Sequence, residues 1–173
     1  MTKIVIALTS VRSRSGKDTL VDELRKAGHQ VTRVAFGDTL KEACAAELAC
    51  DLFGFTKEDL LEFFHSDAKD QEMPGLGICQ IPQSGYRKWL IKHTSECAET
   101  MRTPRWHLQK YGTEYRREFL KNPNVWLDAG LKEIQEAPEG IVVVTDMRQR
   151  NEYLNLRLLG DLSPSCSVST VRL

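Results

Sequence analysis

Apolar and polar residues follow one another along this chain in the order typical of parallel α/β proteins. Ile4 to Leu8 form a continuous apolar run that predicts a buried strand, and Leu20, Val21 and Leu24 then recur at helical spacing. This β-α order repeats, which predicts a parallel sheet with helices on both faces. The same patterns predict further strands over 31–36, 141–144 and 168–171, and helices starting at Gly37-Asp38-Thr39, Thr56, Tyr86, Thr103-Pro104, Val125 and about Glu152.

The helix that opens at Thr103-Pro104 carries a polar stripe, and proline is favoured at the first helical position. A glycine inside a helix costs about 1 kcal/mol relative to alanine, so we expect some group to approach the backbone closely at Gly112. Arginine matches phosphate oxygens bidentately, so the stripe suits a planar ligand bearing a phosphate, with a solvated face as the alternative. At about 100° per residue, the stripe consists of Arg105, Gln109, Gly112, Thr113 and Arg116.

Residues 66–84 show no sustained hydrophobic period and contain the segments Met-Pro-Gly-Leu-Gly and Ile-Pro-Gln-Ser-Gly. This pattern predicts a long irregular loop. Long loops in compact domains are usually functional or disordered. We therefore expect this loop to close over a reacting ligand and exclude water from it.

The residues between the first strand and the first helix match a phosphate-binding loop, Ser13-Arg-Ser-Gly-Lys-Asp-Thr19. Free backbone N–H groups and the dipole at a helix N-terminus favour a bound phosphate. Lys17 would add a charge for the β and γ phosphates, and Asp18 or Thr19 an oxygen for Mg²⁺ or its waters. Val11 stands where the first glycine of the motif is expected, and a solvated basic helix start is the alternative.

Composition limits the classes of protein that fit. A chain of 173 residues with 41% hydrophobic content predicts one domain, and 24 basic against 24 acidic residues predict no stable nucleic-acid binding. No stretch approaches the roughly 18 apolar residues that span a bilayer, and no targeting segment opens the chain. We therefore expect a soluble cytoplasmic protein without a membrane partner.

The cysteines predict reduced thiols rather than a disulfide framework. They number five, an odd count, and contain no C-x-x-C pair. A zinc site built from His65, Cys79, His93 and Cys97 is an alternative, but the spacing fits no standard zinc pattern.

Five groups of residues stand in one order along most of the chain: Ser15-Gly-Lys-Asp-Thr19, Phe36-Gly-Asp-x-Leu-Lys41, Leu108-Gln-x-x-Gly-Thr-Glu114, Trp126 and Thr145-Asp-x-Arg-x-x-x-Glu152. Together they resemble the deoxynucleoside monophosphate kinases of bacteriophages. The resemblance is weakest over 66–103. It implies the P-loop kinase fold, in which a parallel sheet flanked by helices carries a helical and loop acceptor and lid region.

The resemblance also implies a domain organisation and a set of ligands. Residues 1–173 would form one domain, with 1–36 and 138–173 as the core and about 38–137 as the helical acceptor-binding region. ATP with Mg²⁺ would be the donor and a deoxynucleoside monophosphate the acceptor, and members are often homodimers. Transfer would require the phosphate loop and the downstream arginine stripe to line one cavity.

Site residues are implied by the same resemblance. The ATP-binding set would be Arg14, Ser15, Gly16, Lys17, Asp18 and Thr19, with the metal near Asp18 and Thr19. The acceptor-binding set would be Phe36, Gly37, Lys41, Lys69, Arg105, Gln109, Gly112, Thr113, Arg116, Trp126, Asp146, Arg148 and Glu152. The catalytic group would be Lys17, Asp146 and Arg148.

The expected activity is therefore ATP-dependent phosphorylation of deoxynucleoside monophosphates to diphosphates. One alternative keeps the phosphate loop and changes the acceptor to a small metabolite, as in dephospho-coenzyme A kinase, or to a modified base. Another is a nucleotide-binding module without turnover, which Val11 and the early end of the chain favour.

Overall fold

A computed structural model describes residues 3–9, 16–50, 55–163 and 165–172. The chain divides into two compact units, the first formed by Met1–Thr39 with Trp126–Leu173 and the second by Leu40–Val125. The prediction of a single domain with an inserted acceptor region stays a prediction. The elements are β1 (Lys3–Thr9), α1 (Lys17–Lys26), β2 (Val31–Val34), α2 (Phe36–Leu48), α3 (Lys57–His65), α4 (Gly85–His93), α5 (Pro104–Gln109), α6 (Val125–Glu136), β3 (Ile141–Val144), α7 (Arg150–Leu162) and β4 (Cys166–Arg172).

The first unit is built on a four-stranded sheet in the order β2-β3-β1-β4, in which all neighbouring strands are parallel. Strand β1 pairs Ala7 with Val144 of β3 and with Thr170 of β4. The apolar runs predicted as β1 and β3 therefore lie side by side at the centre. This confirms the expected parallel α/β architecture, while the specific P-loop kinase fold stays a prediction.

Helices cover both faces of this sheet, because successive strand residues point to opposite sides. On one face Leu8 and Val143 pack with Val21 of α1. On the other face the strands pack against helices α6 and α7 and against the first residue of α2. This larger cluster contains Val5, Ala7, Val34, Phe36, Leu127, Ile134, Val142, Val144, Met147 and Leu156.

The second unit is helical, and a group of aromatic side chains packs between its helices. Tyr86 of α4 lies edge-on to Tyr111 at a centroid distance of 5.2 Å and stacks on Trp89 at 6.1 Å. Tyr115 and Phe119 stack at 6.0 Å. Helix α4 is therefore faced by Tyr111, Tyr115 and Phe119, which recur every four residues in the segment after Pro104.

The helix predicted to continue from Pro104 changes its geometry. Helix α5 ends at Gln109, and Lys110–Phe119 continues as a π-helix, in which hydrogen bonds join residues five apart. Arg116 accordingly donates from Nη1 to the hydroxyl of Tyr111, five residues earlier, at 3.0 Å. An angle of 100° per residue does not hold in this wider turn, so the predicted stripe is not one continuous face.

Residues 66–84 form a long segment without α-helix, as expected, but it is ordered and partly buried. Two short 3₁₀ helices occupy Asp67–Asp70 and Pro74–Leu76. Leu76, Ile78 and Ile81 are each at most 1% exposed. Apolar residues spaced too irregularly for a helix or strand thus anchor the segment, because burial depends on tertiary contacts rather than on period.

Candidate functional site

Helix α1 is the next element after β1, a central strand of the sheet. The phosphate-loop prediction requires this order of strand, loop and helix. Gly16 precedes the helix with φ 80°, a left-handed conformation that glycine adopts without strain. No side chain of the described residues caps this terminus. Lys17 is half-buried, and Asp18 and Thr19 are exposed in the first turn. The predicted residues Arg14 and Ser15, and Val11, lie outside the described residues.

Arg33 joins the beginnings of two helices. From β2 its Nε donates to Asp18 Oδ1 of α1 at 2.8 Å, and its Nη1 donates to Asp38 of α2. Burial lowers the pKa of the guanidinium, but hydrogen bonds with Asp38 and Asp18 outweigh it and raise the pKa overall. One carboxylate oxygen of Asp18 is thus already paired with the side chain of Arg33. Sequence reasoning did not assign Arg33, although a charge inside the apolar run over 31–36 was a signal.

Asp146 follows β3 and closes the N-terminus of α2. Its Oδ1 accepts from the backbone N–H of Phe36 at 2.8 Å, and its Oδ2 accepts from that of Gly37 at 2.7 Å. A Cβ on Gly37 would lie 3.0 Å from Oδ2, so glycine permits this approach. Burial raises the pKa of the Asp146 carboxyl, although the two N–H donors counteract it. Asp146 therefore has a helix-capping role beside any role in catalysis.

Glu152 supports the turn that carries Arg148. Its Oε2 accepts from the backbone N–H of Arg148 at 2.7 Å and from that of Gln149 at 2.8 Å. Glu152 is 7% exposed, whereas Arg148 is exposed. The carboxylate thus orders the backbone at the start of α7 and leaves the arginine accessible to an anion.

Two aromatic residues predicted to border a nucleotide are buried. Phe36 is 3% exposed, belongs to the core cluster of the first unit and packs over Gly130. Trp126 is also 3% exposed. Neither ring presents a face on which a base could stack in this conformation. Gly130 leaves room for Phe36, which gives that glycine a packing role.

Close approach to Gly112 is real, but a side chain of the protein provides it. A Cβ on Gly112 would lie 2.8 Å from Leu40 Cδ1, and the residue is buried. Leu40 is therefore the group that approaches the backbone there, which explains the glycine without a ligand. Gln109 and Thr113 are exposed, and Arg116 is half-buried against Tyr111.

Three further cationic residues predicted for the site have partners within the second unit. Arg105 is paired through two nitrogens with the carboxylate of Asp70, with Nη2 3.1 Å from Oδ2. This pairing lowers the pKa of Asp70. Lys41 Nζ lies 3.3 Å from His65 Nδ1, and Lys69 Nζ lies 3.9 Å from Asp67. A phosphate ligand would have to displace the Asp70 carboxylate to engage Arg105 bidentately.

The first unit contains ten of the predicted site residues: Gly16, Lys17, Asp18, Thr19, Phe36, Gly37, Trp126, Asp146, Arg148 and Glu152. The second unit contains Lys41, Lys69, Arg105, Gln109, Gly112, Thr113 and Arg116. That both sets line one cavity stays a prediction.

Among the residues that the structure describes, no group of three or more His, Cys, Asp or Glu side chains is arranged to hold a metal ion. His93, part of the zinc alternative, has Nδ1 3.0 Å from the carbonyl of Trp89.

Over the ranges that the structure covers, every helix is too short or too polar to span a bilayer. Comparison with known proteins adds no identification: no protein-family model matches the chain, and a search of curated proteins gives no significant match.

Proposed function

We propose that the chain is a P-loop kinase that transfers the γ-phosphoryl group of ATP to a deoxynucleoside monophosphate, similar to the deoxynucleoside monophosphate kinases of bacteriophages. One observation carries the proposal. Left-handed Gly16 and then Lys17 stand at the N-terminus of α1, which no described side chain caps, and α1 is the next element after β1, a central strand of an all-parallel sheet. In such sheets ligands bind beyond the carboxyl ends of the strands.

The donor side rests on physical features of this terminus. The first N–H groups of α1 lack helical partners, and the dipole places partial positive charge there, so a polyphosphate is favoured. Lys17 adds a full positive charge beside them. Asp18 and Thr19 offer oxygen atoms, which magnesium prefers, and Mg²⁺ usually keeps several waters and needs only one or two protein ligands. The residues therefore fit the metal, which would neutralise phosphate charge when bound.

Chemistry at the acceptor needs little help from a base, because the attacking phosphate oxygen is already ionised. Alignment and charge compensation then carry the catalysis. Both oxygens of Asp146 accept N–H groups from α2, which favours a positioning role over proton transfer. Arg148 is exposed on a turn held by Glu152, a suitable place for a cation that meets transferring phosphoryl oxygens.

The test is an acceptor assay with a matched pair of lysine variants. The four deoxynucleoside monophosphates are incubated with labelled ATP and Mg²⁺, and diphosphate product is measured for the parent, Lys17→Ala and Lys26→Ala. Lys26 lies on the same helix, with its side chain 71% exposed and paired to Glu23. We expect at least a 100-fold loss of kcat/KM for Lys17→Ala, about 2.7 kcal/mol, and parent activity for Lys26→Ala. Equal turnover by all three proteins would contradict the proposal.

A second candidate keeps the donor site and changes the acceptor. Burial of Phe36 and Trp126 and the packing of Leu40 over Gly112 favour it, since these residues were expected to border the acceptor nucleotide. Dephospho-coenzyme A and other small acceptors belong in the same assay. Product with one of them and none with any deoxynucleoside monophosphate would select this candidate, whereas ATP binding without product would favour a non-catalytic module.

A further inference from the structure

Thr145 carries a buried hydroxyl that none of the described residues pairs by a hydrogen bond. The residue follows β3 directly and is 3% exposed. Its backbone N–H donates to the carbonyl of Val34 at 3.0 Å, so the main chain is held in place. Its Oγ1 has no hydrogen-bond partner among the residues that the structure describes. Buried polar groups are rarely left unpaired, and such an orphan calls for an explanation.

The alternation of side chains along β3 shows on which face of the sheet Thr145 lies, and therefore which helix covers it. Val142 and Val144 belong to the cluster that contains Phe36, whereas Val143 packs with Leu8 and with Val21 of α1. Side chains two apart in extended chain lie on the same face. Thr145 therefore follows Val143 on the α1 face, while Asp146 turns to α2, as its bonds to Phe36 and Gly37 require.

Register places the hydroxyl at the edge of the sheet where α1 begins. Parallel pairing joins Ala7 to Val144, so Thr145 comes opposite the residue after Ala7, close to the carboxyl end of β1. Helix α1 is ten residues long, and no side chain of the described residues caps it. An uncapped helix N-terminus and an unpaired buried hydroxyl thus belong to the same edge and the same face of the first unit.

We infer that Thr145 Oγ1 is a positioning group for a magnesium-bound polyphosphate held at the N-terminus of α1. The inference rests on the proposed function and deepens it, because it names a residue of the donor site. The hydroxyl can donate to a phosphate oxygen or accept from a water on the metal, since it is both donor and acceptor. Binding would then satisfy a group that folding leaves unpaired.

Isosteric substitution separates this role from a structural one. Thr145→Val keeps the shape and removes the hydroxyl, Thr145→Ser keeps the hydroxyl, and Thr170→Val is the control at an exposed threonine of β4. Affinity for ATP is measured by calorimetry with Mg²⁺ and again with chelator, and Tm is measured without ligand. We expect about tenfold weaker Mg·ATP binding for Thr145→Val and parent affinity for the other two variants. A penalty that disappears with chelator indicates a metal water, and one that persists indicates a phosphate oxygen.

Stability of the free protein supplies the second readout. A buried hydroxyl without a partner costs free energy in the folded state, so Thr145→Val is expected to keep the parent Tm or raise it by about 2–4 °C. A lower Tm would show that the protein itself already pairs the hydroxyl, and would overturn the inference. Parent-like Mg·ATP affinity of Thr145→Val would overturn it as well, with the proposed function intact. If the parent protein binds no Mg·ATP, the proposed function fails and the inference fails with it.

Discussion

Protonation of His107 should destabilise the second unit, because this histidine is buried in a site that disfavours its charged form. Nε2 lies 2.8 Å from the carbonyl oxygen of Leu76, which can only accept, so Nε2 carries the hydrogen. Nδ1 lies 3.1 Å from the hydroxyl of Tyr86 and therefore accepts from it. Burial raises the pKa of Tyr86 and keeps that hydroxyl protonated.

The magnitude follows from the pKa of His107. Burial lowers it from 6.5 to about 4, against a smaller opposing effect of the bond to Leu76. Between these pH values the unfolded chain binds a proton that the folded protein does not, so the free energy of unfolding falls as the pH drops. At about 1.36 kcal/mol per pH unit the total is about 3 kcal/mol. This contribution to the free energy of unfolding is fully present above pH 6.5, declines as the pH falls to about 4, and changes no further below that pH.

Urea unfolding from pH 7.5 to 4, followed by tryptophan fluorescence, measures this effect. The variants are His107→Gln, whose amide does not titrate, and His29→Gln, the control at an exposed histidine. We expect the parent's advantage over His107→Gln to shrink by about 3 kcal/mol across the range, while His29→Gln runs parallel to the parent. A constant difference between the parent and His107→Gln would refute the assignment of a neutral, buried imidazole.

Two further predictions concern packing and capping in the first unit. Gly130→Ala should cost about 1–3 kcal/mol through overpacking, since its Cβ would lie 2.6 Å from Phe36 Cε1. Phe36→Leu should recover part of that loss in a double-mutant cycle measured by chemical unfolding, and strictly additive effects would count against the contact. Asp146→Asn should cost about 1–3 kcal/mol, because its amide N–H₂ would face an N–H of Phe36 or Gly37. An unchanged Tm for Asp146→Asn would argue against the cap.

Local sequence was enough to predict the strands and the start of the first helix. Ile4 to Leu8 and Ile141 to Val144 are continuous apolar runs, and they form the two central strands. Leu20, Val21 and Leu24 at helical spacing predicted the first helix, and α1 begins at Lys17. Such features were readable because they depend on residues near one another in the chain.

Sequence reasoning was less successful where the geometry departs from a regular period. Lys110–Phe119 is a π-helix, so a stripe drawn at the α-helical angle does not describe it. Residues 66–84 have no period, yet Leu76, Ile78 and Ile81 are buried. Phe36 begins α2 one residue before the predicted Gly37, at the point where Asp146 caps the helix.

The sequence alone predicted a parallel α/β architecture from the order of the apolar runs. It also predicted a candidate phosphate site from the Gly16-Lys17 pair. Tertiary structure decided what each polar residue and glycine does. Only folding brings Asp146 to α2, Leu40 to Gly112 and Tyr86 to His107. Contacts between residues far apart in the chain depend on how the elements pack, and no local pattern encodes that packing.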